Sequence, residues 1–198
     1  MKIKYLFLTA LLLAVASVSF AQSKRNASGL RKIDFLNYSY QPSACAEIFE
    51  NPKTIKLVRG KYRYKSSDNY YYINRGDVVY GDVNEDGIED AVVLTRCSTG
   101  ASFRAFDLHV FTFGNGKAKL LAQLGSNKIS DDYAKNFPDS VFCCAGNAPK
   151  IQNGHLIVEA LTDGLFLNPE RRTTFDYKLN GDEFVLSGTP QKRKLQVK

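Results

Sequence analysis

The sequence predicts a mainly β fold, with antiparallel hairpins forming one curled sheet or a small sandwich and one or two short helical turns. Three observations predict it. Short runs of β-formers recur along the chain, some in strict alternation and some continuously apolar. Turn signals separate them at Gly114-Asn115-Gly116, Asn153-Gly154 and Asn180-Gly181. No amphipathic pattern of three helical turns is evident, and no repeat is long enough for a solenoid or a propeller.

Residues 1–21 read as a secretory signal peptide. Lys2 and Lys4 open it, an apolar run covers Leu6 to Val18, and Ser19-Phe20-Ala21 is a small-x-small cleavage site. The apolar run is shorter than the ~20 residues of a membrane span. Residues 22–30 are small and polar, a flexible lead-in.

Ile33 to Tyr40 alternates and reads as a strand. Ser43 is placed to cap a short helix through Phe49 that stops before Pro52. Thr54 to Val58, Lys61 to Lys65 and Asp68 to Ile73 are strand-like. The last holds Tyr70, Tyr71 and Tyr72, which read as sheet packing rather than a ligand surface. Ala91 to Arg96 begins with the continuous apolar run of a buried central strand. Phe103 to Phe113 and Lys117 to Leu124 make one hairpin. Lys150 to Gln152 with His155 to Ala160 make a second. Thr173 to Leu179 with Glu183 to Leu186 make a third, its Asn180-Gly181 pair suiting a type I′ turn. Residues 127–146 are the least regular stretch, with a helical turn over Ser130 to Lys135. The expected single domain is 31–189, followed by a basic solvated tail at 190–198.

Taking residues 1–21 from 198 leaves 177, enough for a real core. The formal charge of +7 becomes +5, because only Lys2 and Lys4 are lost. Such mild basicity excludes a nucleic-acid signature. Export makes disulfides plausible. Of the four cysteines, Cys143 and Cys144 are adjacent and awkward to join, so Cys45–Cys97 is the favoured pair.

The most informative stretch is Gly81 to Val93. Oxygen-bearing side chains fall at Asp82, Asn84, Asp86 and Asp90, and Gly87 sits where the chain must turn sharply. Alternate residues of a tightly curled loop aim inward, and Ile88 can offer its carbonyl. A hard cation such as Ca²⁺ takes six to eight oxygens at about 2.3–2.6 Å. Glu85 and Glu89 fall between the ligand positions and should point outward. A bare Asp-Gly turn is the simpler alternative. The spacing begins like an EF-hand, but its twelfth position is Val93 and β-formers flank it on both sides.

Asp-x-Asn-x-Asp-Gly-x-x-Asp between strands resembles the calcium loop of FG-GAP repeats, as in integrin-α-type propellers. The loop occurs once here, whereas a propeller needs several blades. The wider chain resembles small secreted bacterial proteins of unassigned function that carry one such loop. That resemblance implies a domain type and no activity.

The two histidines, His109 and His155, lie in separate expected strands, and no nucleophile–base–orienter set can be assembled around them. The leading reading is therefore a secreted or periplasmic calcium-binding β domain, a binding or structural module with a protein or glycan ligand and no membrane span. The alternative is a hydrolase with catalytic groups in the 127–146 loop.

Overall fold

Two-residue turns set the register of the hairpins. Residues 29–65, 68–100, 104–140, 142–165 and 168–195 are described in a computed structural model; the expected signal peptide and nearly all of the lead-in lie outside them. Asn115-Gly116 and Asn153-Gly154 both have positive φ at each central residue, the type I′ pattern. The first joins β7 (Arg104–Gly114) to β8 (Lys117–Gly125), and the second joins β10 (Lys150–Gln152) to β11 (His155–Leu165). The third turn differs from expectation. Asn180 pairs with Glu183, so the loop is Gly181-Asp182, and the single positive φ, at Gly181, gives the type II′ pattern.

The strands form two six-stranded sheets and one small pair, so the sandwich alternative holds over the single curled sheet. The small pair is β1 (Ser39–Tyr40) with β2 (Ile55–Lys56). The central sheet comprises β3 (Lys61–Arg63), β4 (Tyr70–Tyr72), β5 (Val78–Gly81) and β6 (Asp90–Ser98), then β7 and β8. Its order is β3-β4-β6-β7-β8, with β5 pairing the first half of β6 and β4 the second. In the other sheet, β9 (Phe142–Ala145) and β10 pair with β11, while β13 (Glu183–Leu186) and β14 (Gln191–Lys194) pair with β12 (Asn168–Asn180), which itself pairs with β11.

β6 is buried on both faces, which explains its unbroken apolar start. Val92 and Leu94 join Phe106, Leu108 and Val110 against Leu156, Val158, Phe175 and Tyr177 of the second sheet. Ala91, Val93 and Cys97 pack the other way, with Leu30, Phe35, Tyr40, Phe49, Ile55 and Leu57. The molecule thus has three layers: the segment before β3, the central sheet, and the second sheet.

Four further expectations are corrected. Ile33 to Tyr40 is not one strand. The Asp34 carboxylate accepts the Leu36 N–H and the Asn37 side-chain amide, winding Phe35–Asn37 into a 3-10 turn before β1. A three-turn helix, α1 (Ser126–Asn136), does exist within the stretch read as irregular. Its buried face is Ser126, Ile129, Asp132 and Tyr133, half of it polar, so apolar periodicity does not reveal it. The basic stretch after Pro190 is not a free tail, since Gln191–Lys194 is β14. Leu30, placed in the lead-in, is fully buried.

The outer layer is fastened covalently and by hydrogen bonds. Cys45 and Cys97 form a disulfide with Cα atoms 5.9 Å apart. Beside it, buried Asp107 accepts the Ser43 and Ala44 N–H groups at 3.0 and 2.7 Å. Burial pushes the Asp107 carboxyl up to about 6, against the opposing effect of the backbone donors. A carboxyl whose folded pKa lies above its unfolded value stabilises most below about pH 4, and that stability is lost as pH rises through about 6. In Asp107→Asn, the melting temperature should therefore be flatter between pH 4 and 6 than in wild type. Parallel curves through that window would contradict this assignment.

Candidate metal centre

The loop from Gly81 to Asp90 joins two strands that pair with each other, as Gly81 sits opposite Asp90 and Tyr80 opposite Ala91. Both ends are therefore fixed by the central sheet. Between them the chain curls through positive φ at Glu85 (60°) and Gly87 (79°). This curl turns backbone N–H groups inward. Asp82 accepts the Asp86 N–H at 3.1 Å on one oxygen and the Gly87 N–H at 2.8 Å on the other. Asn84 Oδ1 accepts the Asp86 N–H at 3.2 Å, and the Asn84 amide donates to Asp86 at 2.9 Å. Asp86 in turn accepts the Ile88 N–H at 2.7 Å.

Asp90 behaves differently. It is fully buried at the start of β6. Its Oδ2 accepts the Val83 N–H at 3.1 Å, while its Oδ1 is buried with no hydrogen-bond partner. The pKa rises to about 6, first from burial and then from the nearby Asp86 and Asp82 charges; the Val83 N–H and the Thr112 hydroxyl oppose this rise. The Thr112 hydroxyl thus lies near the carboxyl without supplying a hydrogen bond to Oδ1. A buried acceptor with no donor carries a desolvation cost of about 1–3 kcal/mol, more for a charged group. A cation is one group that removes it.

The expected ligand side chains thus share one loop, and three of them, Asp82, Asn84 and Asp86, are linked by direct or shared hydrogen bonds. Ile88 contributes its N–H to that network. As placed, the carboxylates accept from the loop's own backbone. Among the described residues, no three His, Cys, Asp or Glu side chains form a ready metal cluster.

Sequence reasoning missed the work of the two intervening acids. Glu89 forms a bidentate pair with Arg31, at 2.9 and 2.6 Å, and Arg31 lies 4.4 Å over the Tyr80 ring. Glu85 pairs with Lys178 on β12 at 3.0 Å. The loop is thereby tied to the outer layer on one side and to the second sheet on the other. No local signal marks these partners, because each is distant in sequence. A cleft of about 480 Å³ lies between the loop and the β10–β11 hairpin, lined by Asp82, Glu85, Gly87, Ile151 and Asn153 among others.

The histidines stand apart from this site. His109 is fully buried, with Nε2 3.0 Å from both the Tyr71 and Thr95 hydroxyls, and burial lowers its pKa to about 3. His155 Nδ1 is 2.6 Å from Asp176 on the second sheet. Cys143 and Cys144 lie in β9, with their side chains outside the described part. No family model, curated protein or solved structure matches the chain.

Proposed function

We propose that the protein is a secreted or periplasmic β module holding one calcium ion, held by Asp82, Asn84, Asp86, Asp90 and the Ile88 carbonyl. The observation that carries this reading is the buried, unpartnered Oδ1 of Asp90, beside two further carboxylates on one curled loop. A bare turn accounts for Oδ2 of Asp90, which accepts the Val83 N–H, and leaves Oδ1 without a partner. The ion would supply compensating charge and fix the loop geometry. The module's role is then binding or structural.

The test is thermal melting in chelator and in calcium at about 10–100 mM, ~100 times the dissociation constant of such modules. Extracellular modules bind calcium at about 10⁻⁴–10⁻³ M. Ion at ~100 times the dissociation constant adds about 2.7 kcal/mol, which corresponds to roughly 5–10 °C in a domain of this size. Asp86→Ala should erase that difference, while Glu85→Ala should leave most of it. Identical melting of wild type in chelator and calcium would return the loop to a plain turn.

A further inference from the structure

The two ends of β6 lead to different places. The loop precedes Asp90, and eight residues later, about 26 Å along the strand, Ser98 borders a second concavity. On this side, the central sheet reaches past the apolar core it shares with the second sheet. Arg96 and Phe106 are cross-strand partners, and Phe106 belongs to that shared core. One strand outwards, the partner of Arg96 is Tyr72 and that of Ser98 is Tyr70; the next strand sets Lys61 opposite Tyr72 and Arg63 opposite Tyr70. The face changes from Leu94, Phe106 and Leu108 to tyrosines and cations. Tyr70 and Tyr72 are half-buried and line an open groove of about 530 Å³ with Arg59, Lys61, Asn74 and Ser98. That size lies in the range of ligand sites.

The charge of the groove is one-sided. Arg59 and Lys61 are exposed and have no acidic partner among the described residues. Lys61 Nζ lies 3.9 Å over the Tyr70 ring, which holds the ammonium at the groove wall. The nearby acids are engaged elsewhere, Asp77 by Arg96 and by the Asn74 N–H, and Asp68 by Arg63 at 3.4 Å. Gly60 approaches the Ile73 carbonyl with φ +81°, which sets Arg59 and Lys61 on the groove's rim.

We propose that this groove binds an acidic polysaccharide. The Tyr72 ring offers a flat apolar face to the C–H face of a sugar ring, the Tyr70 ring holds Lys61 in place, the tyrosine hydroxyls with Asn74 and Ser98 suit sugar hydroxyls, and Arg59 and Lys61 receive the carboxylate or sulfate groups. An acidic peptide uses the cations and leaves the ring faces idle, and a neutral glycan does the reverse. The site is distinct from the calcium loop and does not depend on it.

The experiment is calorimetric titration of the protein with a galacturonic acid hexamer, a heparin hexasaccharide, a neutral cello-hexamer, polyglutamate and a single-stranded oligonucleotide, each in chelator and in calcium. Binding of either acidic saccharide, weakened at least 10-fold by Arg59→Gln/Lys61→Gln and by Tyr72→Ala, is the expected result. The two acidic probes separate carboxylate from sulfate recognition. The exposed Arg59 and Lys61 positions keep that variant folded even if Tyr72→Ala disturbs β4. Failure of both acidic saccharides to bind, equal binding of the neutral hexamer, tighter binding of polyglutamate or the oligonucleotide, or binding that survives Arg59→Gln/Lys61→Gln would each overturn the proposal.

Discussion

Replacing both Cys45 and Cys97 with alanine should lower the unfolding free energy by about 4 kcal/mol. The bridge closes a loop of 52 residues, and the chain-entropy relation gives that magnitude for such a loop. The loss should be close to the full figure because the crosslink has few substitutes. It ties the outer layer to the second half of β6, and on the neighbouring strand, β7, Asp107 holds Ser43 and Ala44. Both cysteines are buried, so the alanines also remove packed sulfur from the outer core. Urea unfolding of the double variant beside oxidised wild type measures the difference. A change below about 1 kcal/mol would mean that the apolar contacts and hydrogen bonds hold the outer layer without the crosslink.

Phe175→Ala should cost about 3–5 kcal/mol, the range for a buried aromatic truncated to alanine. Phe175 is fully buried on β12, its ring parallel to Tyr177 at 6.3 Å and tilted against Tyr133 of α1 at 6.2 Å. The surroundings resist collapse into the space. Tyr177 is held by its hydroxyl bond to Asp132 at 3.0 Å, and Tyr133 by its hydroxyl bond to Asp163 at 2.8 Å. Both rings are therefore pinned at their polar ends, and a cavity should remain. Chemical denaturation gives the cost. Any gain in melting temperature that calcium gives the wild type should persist in the variant, because Phe175 stands on β12 of the second sheet, facing α1 and the central sheet, and not in the loop. Loss of that gain along with the stability would show that the loop depends on this part of the core.

The strands were legible where a local rule acts alone. Asn115-Gly116 and Asn153-Gly154 announce their hairpins, and the apolar start of β6 announces a strand covered on both faces. What was hidden needs a distant partner. The helix α1 has no apolar stripe, because its buried face includes Asp132, whose buried partner Tyr177 follows 45 residues later. The strand Gln191–Lys194 reads as a charged tail, since three of its four residues are basic, until Arg193 meets Glu159 and Lys192 meets Asp163. The oxygen-bearing side chains of the 82–90 loop are local, and their spacing is legible in the sequence. The orphaned oxygen of Asp90 was not, because burial of one carboxylate among neighbours is a property of the packed sheets.

The two outward acids of that loop carry a consequence for the order in which the molecule becomes complete. Glu89 reaches back 58 residues to Arg31, whereas Glu85 reaches forward to Lys178, on a strand near the far end of the chain. A chain emerging from its N-terminus has the loop and its first anchor long before the second. Gly154, where a Cβ would fall 2.3 Å from the Glu85 side chain, also comes well after the loop. One wall of the cleft beside the loop is thus laid down well after the other. A loop gripped from both sides is a mark of the finished domain, and a partially emerged chain has only half of that grip.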